Sequence, residues 1–124
     1  MRTLISLAVV FLALLAIASE DTSNQAMLDS LQTEYRKATH DSIKCKIYLE
    51  IGDYYEFENS DSALHYYNKC AVLAENASLF NLKGRALRYA GMLFSSQGSY
   101  DKAVIYFLKA LDMFEETGKK RGIA

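Results

Sequence analysis

Two glycines, Gly52 and Gly91, stand 39 residues apart, and the residues around them recur in the same order. Each follows a bulky residue four positions back (Tyr48, Leu87) and precedes an aromatic three positions on (Tyr55, Phe94). Farther along, Ala63 and Ala103, Tyr67 and Phe107, and Cys70 and Ala110 each stand 40 apart. A fixed period constrains the fold more than any single motif, because each copy is a unit that buries its apolar face against the next. Glycine inside a helix costs about 1 kcal/mol relative to alanine, so its return at one register position needs a packing reason. A residue without a side chain lets a second helix approach closely, and the aromatics beside it fill the space around that contact.

The rest of the chain from Asn24 onward reads as helix. Met27, Leu28, Leu31, Tyr35 and Ala38 form one apolar stripe, and Ile47, Tyr48, Ile51 and Tyr55 a second. Asp41-Ser42 and Ser60-Asp61 are start signals whose side-chain oxygens accept from free backbone N–H groups, while Glu58-Asn59-Ser60 and Gln97-Gly98-Ser99 mark breaks. The pattern predicts five helices at about 24–39, 42–57, 61–76, 81–97 and 100–117. Connections that short force neighbours to run antiparallel. The chain has no Pro and only 6 Gly, too few for a turn-rich β domain. The expected class is therefore all-α, a series of antiparallel helix-turn-helix repeats.

The amino terminus has a different character. One positive charge at Arg2 precedes a stretch from Leu4 to Ala18 that is apolar apart from Ser6 and ends in Ala16-Ile17-Ala18. A basic start, a short apolar run and small residues at the end match a cleavable secretory signal, with cleavage expected after Ala18. These fifteen residues, fourteen of them apolar, fall short of the ~20 that span a hydrocarbon core. The mature chain is then expected to be periplasmic or extracellular and free of the membrane.

The ordered set Leu87, Gly91, Phe94, Tyr100, Ala103, Phe107, Ala110 resembles the tetratricopeptide repeat (TPR). That unit has a large–small–aromatic first helix and an Ala–aromatic–Ala second helix. An earlier copy reads Tyr48, Ile51, Gly52, Tyr55, Ala63, Tyr67, Cys70, with a turn one residue shorter. The resemblance divides the chain into a signal at 1–18, an amino-terminal helix at 19–41, repeats at 42–80 and 81–119, and the start of a further, truncated repeat at 120–124. The period exceeds the ~34 residues usual for that family, and the closing Pro is missing, which a longer second helix and connector around Glu75–Leu82 explain. Lys120-Arg121-Gly122-Ile123-Ala124 echoes Leu82-Lys83-Gly84-Arg85-Ala86. An array of this kind needs a polar terminal cap, so Val104, Phe107, Leu108, Leu111 and Phe114 are expected to lack a cover. That uncapped face implies self-association, a partner, or a longer protein.

The resemblance also implies a concave groove lined by first-helix residues: Lys46, Leu49, Asp53 and Glu56 from one unit, and Arg85, Arg88, Met92 and Ser95 from the other. Such a wall suits a peptide carrying charges of both signs. Members of the family that hold a carboxylate tail use Asn where this chain has Asp53 and Met92, so that activity does not carry over.

Little in the sequence supports catalysis. There is no phosphate-binding glycine loop, no HExxH, and no Ser-His-Asp or Cys-His set. His40 and His65 read as solvent-facing, and Glu50, Asp53 and Glu56 lack an apolar pocket to split their pKa values. Cys45 and Cys70 suit either a single bridge in an oxidising compartment or two small buried apolar residues, the second being preferred. Asn76-Ala77-Ser78 matches a glycosylation acceptor in a helical setting. A net charge of −1 with no basic run argues against nucleic acid. The expected function is a non-catalytic, cofactor-free and metal-free module that binds a protein or peptide outside the cytoplasm. A signal followed by such repeats resembles the amino-terminal periplasmic region of bacterial membrane-bound sensor or regulator proteins, which implies a role in signal transduction. A stand-alone exported scaffold or assembly factor is the alternative.

Overall fold

The computed structural model describes residues 2–120, which form five helices: α1 (Arg2–Lys37), α2 (Asp41–Tyr55), α3 (Ser60–Asn76), α4 (Phe80–Ser96) and α5 (Tyr100–Lys120). Among the described residues there is no strand, and the class is all-α. Beyond Lys120, the expected opening of a further unit lies outside the described residues.

α1 differs from the expectation of a helix starting near residue 24. It runs unbroken from Arg2 through Ala18 to Lys37, because that stretch contains neither Gly nor Pro to stop it. Leu7, Phe11, Leu14 and Ile17 lie exposed outside the packed body. The helix is long and apolar enough to cross a membrane by length and composition. Packing starts only at Leu28 and Leu31, which are buried together with Ile47 and Ile51 of α2.

The caps also refine the sequence reading. The residue preceding α2 is His40, extended and without a side-chain cap bond, so Asp41 acts from the first turn, where its charge favours the helix dipole. At α3 the cap is Asn59, whose side chain accepts from the Ser62 N–H at 3.0 Å, rather than Ser60 or Asp61. The connections after α3 and α4 close in the same way. The Leu79 N–H reaches back to the Ala74 carbonyl (2.8 Å), and the Ser99 N–H to the Phe94 carbonyl (2.9 Å). Both need a left-handed residue, supplied by Gly98 (φ 79°) in one and by Ser78 (φ 55°) in the other.

Side-chain pairings fix the direction of each neighbour. Gly84 faces the Phe114 ring and Gly91 the Phe107 ring, so moving up α4 means moving down α5. In α2 and α3, Cys45 meets Cys70 while Gly52 faces Tyr67, again antiparallel. The two small–aromatic contacts, Gly52 with Tyr67 and Gly91 with Phe107, occupy equivalent register positions, so the two hairpins pack by the same device. A Cβ on Gly91 would sit 2.7 Å from a Phe107 ring carbon, and one on Gly52 would overlap the Tyr67 ring. The architecture is repeat-like: each helix packs on the next, and the main core (Leu49, Ala63, Cys70, Ala86, Ala90 and their neighbours) runs continuously through α2, α3 and α4.

Candidate binding cleft

The first turns of α2 and α4 lie at the same end of the packed helices and open onto a cleft of about 440 Å³. Its polar lining is Ser42 and Lys46 from α2, Asn81 and Arg85 from α4, Ser78 from the connection between α3 and α4, and Thr117 from α5. Ser42 and Asn81 are 39 residues apart, and so are Lys46 and Arg85. Each first helix therefore contributes the same pair, a polar residue followed four positions later by a cation, which one helical turn places on one face. Among the described residues neither Lys46 nor Arg85 has an ion-pair partner. Neither α2 nor α4 has a side-chain cap at its amino end, so backbone N–H groups there add to the positive potential.

Of the eight groove residues expected from sequence, the structure brings Lys46 and Arg85 together in this cleft. Leu49 requires correction: it is 2% exposed within the main core, so it offers no surface to a partner. Asp53 remains exposed but is engaged, accepting a hydrogen bond from the Tyr67 hydroxyl at 2.7 Å. Glu56 closes α2, its N–H bonding the Asp53 carbonyl, and the Ser95 carbonyl accepts from the Gly98 N–H. The Arg88 guanidinium lies over the Tyr89 and Phe114 rings, at 5.3 and 5.9 Å from their centroids. Met92 is half exposed. Sequence reasoning missed Ser42, Ser78, Asn81 and Thr117. The repeat register carried a signal for two of them, since Ser42 and Asn81 precede equivalent cations by the same step.

A second concavity, beside α1, is aromatic. The Tyr48 hydroxyl donates to the Tyr35 hydroxyl at 2.6 Å, Tyr55 stacks on Tyr66, and the Lys69 ammonium lies over the Tyr48 and Tyr66 rings. Burial, then the bond to Tyr35, pushes the Tyr48 phenol well above its ordinary range. The ring faces already hold a cation, so this seam fastens α1 onto the first hairpin and leaves little for a ligand.

Cys45 and Cys70 are free thiols with no exposure. Burial raises both; for Cys70 the neighbouring Cys45 adds to the rise, and the Arg85 charge opposes it without overcoming it. Thiols held protonated are poor nucleophiles. His40 and His65 are exposed, as is Asn76, the last residue of α3. Among the described residues no three His, Cys, Asp or Glu side chains lie together as a metal site. No family model, no curated protein and no solved structure matches the chain.

Proposed function

We propose that this chain is an exported, non-catalytic tetratricopeptide-type module that holds an acidic peptide segment of another protein in the Lys46–Arg85 cleft. The observation that carries the reading is the duplicated pair: Ser42/Lys46 and Asn81/Arg85 line one cleft, and both cations are unpaired among the described residues. Two cations, two serine hydroxyls and an amide beside two helix amino ends form a donor-rich wall suited to carboxylates, the Thr117 hydroxyl being donated to the Met113 carbonyl. With Leu49 buried and Asp53 bonded to Tyr67, the cleft is more basic than the mixed-charge groove expected from sequence. Export through residues 1–18 is supported by the basic start, the apolar run and the exposed apolar side chains from Leu7 to Ile17 on α1. A sensor role, with the module on the outer side of a membrane, is the signalling form of the same reading.

The test is titration of the full chain with labelled acidic, neutral and basic peptides. The acidic set binds, weakens with added salt, and is lost in a Lys46→Glu, Arg85→Glu variant whose helicity is unchanged. Equal binding of all three sets, or full binding by the variant, overturns the cleft assignment. Intact mass of the chain recovered outside the cytoplasm tests export separately, with Ser19 expected as the first residue.

A further inference from the structure

The outer side of α5 carries an apolar stripe made by Val104, Phe107, Leu108 and Leu111, each exposed. The 40-residue register gives each position a counterpart in α3, and α3 shows what covers a face of this kind. Tyr67, the counterpart of Phe107, is 2% exposed against 37% for Phe107, because α4 lies over it and its ring sits 5.7 Å from that of Tyr89. The Cys70 thiol contacts the Leu82 carbonyl on the same seam. At its edge the Glu75 carboxylate pairs with the Lys83 ammonium. The cover is therefore an antiparallel helix whose Leu82, Ala86, Tyr89 and Leu93 form one stripe, with a lysine in its first turn. On α5 the counterpart of Glu75 is Glu115, exposed and without an ion-pair partner among the described residues. Asp101 and Asp112 extend the acidic edge along the same side. Where α3 has Asn68, exposed beside the covered seam, α5 has Leu108, so the apolar surface of α5 is wider than the strip α4 covers on α3.

We propose that the open face of α5 docks an amphipathic helix supplied by a partner, antiparallel to α5, with an apolar stripe of the α4 kind and a Lys or Arg in its first turn that pairs with Glu115. The internal α3–α4 interface supplies the geometry, and the Glu115 edge sets the charge. Leu108 and Thr117 lie on opposite sides of α5 by helical spacing, so this surface is separate from the Lys46–Arg85 cleft.

The probe is a stapled synthetic helix with the sequence of residues 79–97, titrated into the full chain. Saturable binding is expected. Leu111→Glu, on an already exposed side chain, weakens it at least tenfold by placing a charge in the apolar seam. Lys83→Glu in the peptide weakens binding about threefold, as for an edge ion pair, and Glu115→Lys in the chain restores it. Absence of saturation, binding unaffected by Leu111→Glu, or no rescue by the charge swap overturns the proposal. Sedimentation supplies a further arm. A dimer dissolved by Leu111→Glu would assign the face to a second copy, and lipid-vesicle binding lost in the same variant would assign it to a membrane; either result overturns the proposal.

Discussion

Where the α2–α3 hairpin has Tyr67 bonded to Asp53, the α4–α5 hairpin has Phe107 and Met92 at the equivalent positions. The two changes belong together. A buried hydroxyl needs an acceptor, and without the hydroxyl a carboxylate has no task there. A second pair has changed in the same way. Cys45 and Ala74 in the first hairpin correspond to Gly84 and Phe114 in the second, so a medium and a small residue have become the smallest and one of the largest. The bulk moves from the first helix of the hairpin to the second, and the Phe114 ring occupies the space that Gly84 leaves open. The register is thus conserved inside one chain while the chemistry on it varies. The first hairpin is sealed by α1 on one side and α4 on the other, whereas among the described residues one face of α5 is uncovered.

The largest test of this comparison is steric. Gly52→Val is expected to cost about 3 kcal/mol, because its added carbons meet the Tyr67 ring, which is enclosed on all sides. Gly91→Val meets Phe107, which can swing toward solvent, and is expected to cost about 1 kcal/mol. Urea unfolding of both variants measures the difference, and equal losses would mean that the two hairpins are equally confined.

The next is the polar pair. Asp53→Ala strands the Tyr67 hydroxyl and is expected to cost about 2 kcal/mol. Adding Tyr67→Phe recovers more than half of that loss, since the first hairpin then copies the second. Strict additivity of the two substitutions would show that the hydroxyl–carboxylate bond is not the link.

Alkaline pH separates the hairpins without mutation. Cys45, Tyr48, Tyr67 and Cys70 all have raised pKa values from burial, with the Asp53 bond adding for Tyr67 and the Tyr35 bond for Tyr48. Their counterparts Gly84, Leu87, Phe107 and Ala110 do not titrate. A group whose folded pKa lies above its unfolded value contributes stability that is complete below the unfolded pKa and is lost as pH rises above it. The window therefore opens near the ordinary thiol and phenol values, about pH 8.5 to 10. Hydrogen exchange across that range is expected to quicken in α2 and α3 before α5, and simultaneous loosening would count against the asymmetry.

The smallest effect concerns the connections. Ser78 holds the left-handed conformation that Gly98 holds after α4. Ser78→Gly is expected to raise stability by about 0.5 kcal/mol, the relief of backbone strain being partly offset by the greater freedom of glycine in the unfolded chain. Thermal unfolding reads this directly.

The helical class, the glycine contacts and most of the exposed α5 stripe were legible because each rests on spacing: a small residue opposite an aromatic, and apolar positions that the described residues leave uncovered. Phe114, expected on that stripe, instead packs against Gly84 of α4. The extent of α1 was not, since a signal-like stretch was read by its composition, while an unbroken run without Gly or Pro propagates as helix regardless of its role. The groove was half legible. Lys46 and Arg85 follow from the register, but Leu49 was placed outward when its position on α2 faces α3 and α4, a rotation that periodicity alone does not fix. Ser78 and Thr117 reach the cleft from a connection and from the far end of α5, contacts that arise only once three helices are assembled.

The central claim is that two hairpins repeat one contact, a glycine against an aromatic ring. Proton–proton NOE spectroscopy on the full chain measures it at both places at once. Cross-peaks from the Gly52 α-protons to the Tyr67 ring and from the Gly91 α-protons to the Phe107 ring are expected together. Finding the first without the second, or either glycine free of aromatic neighbours, would contradict the shared register.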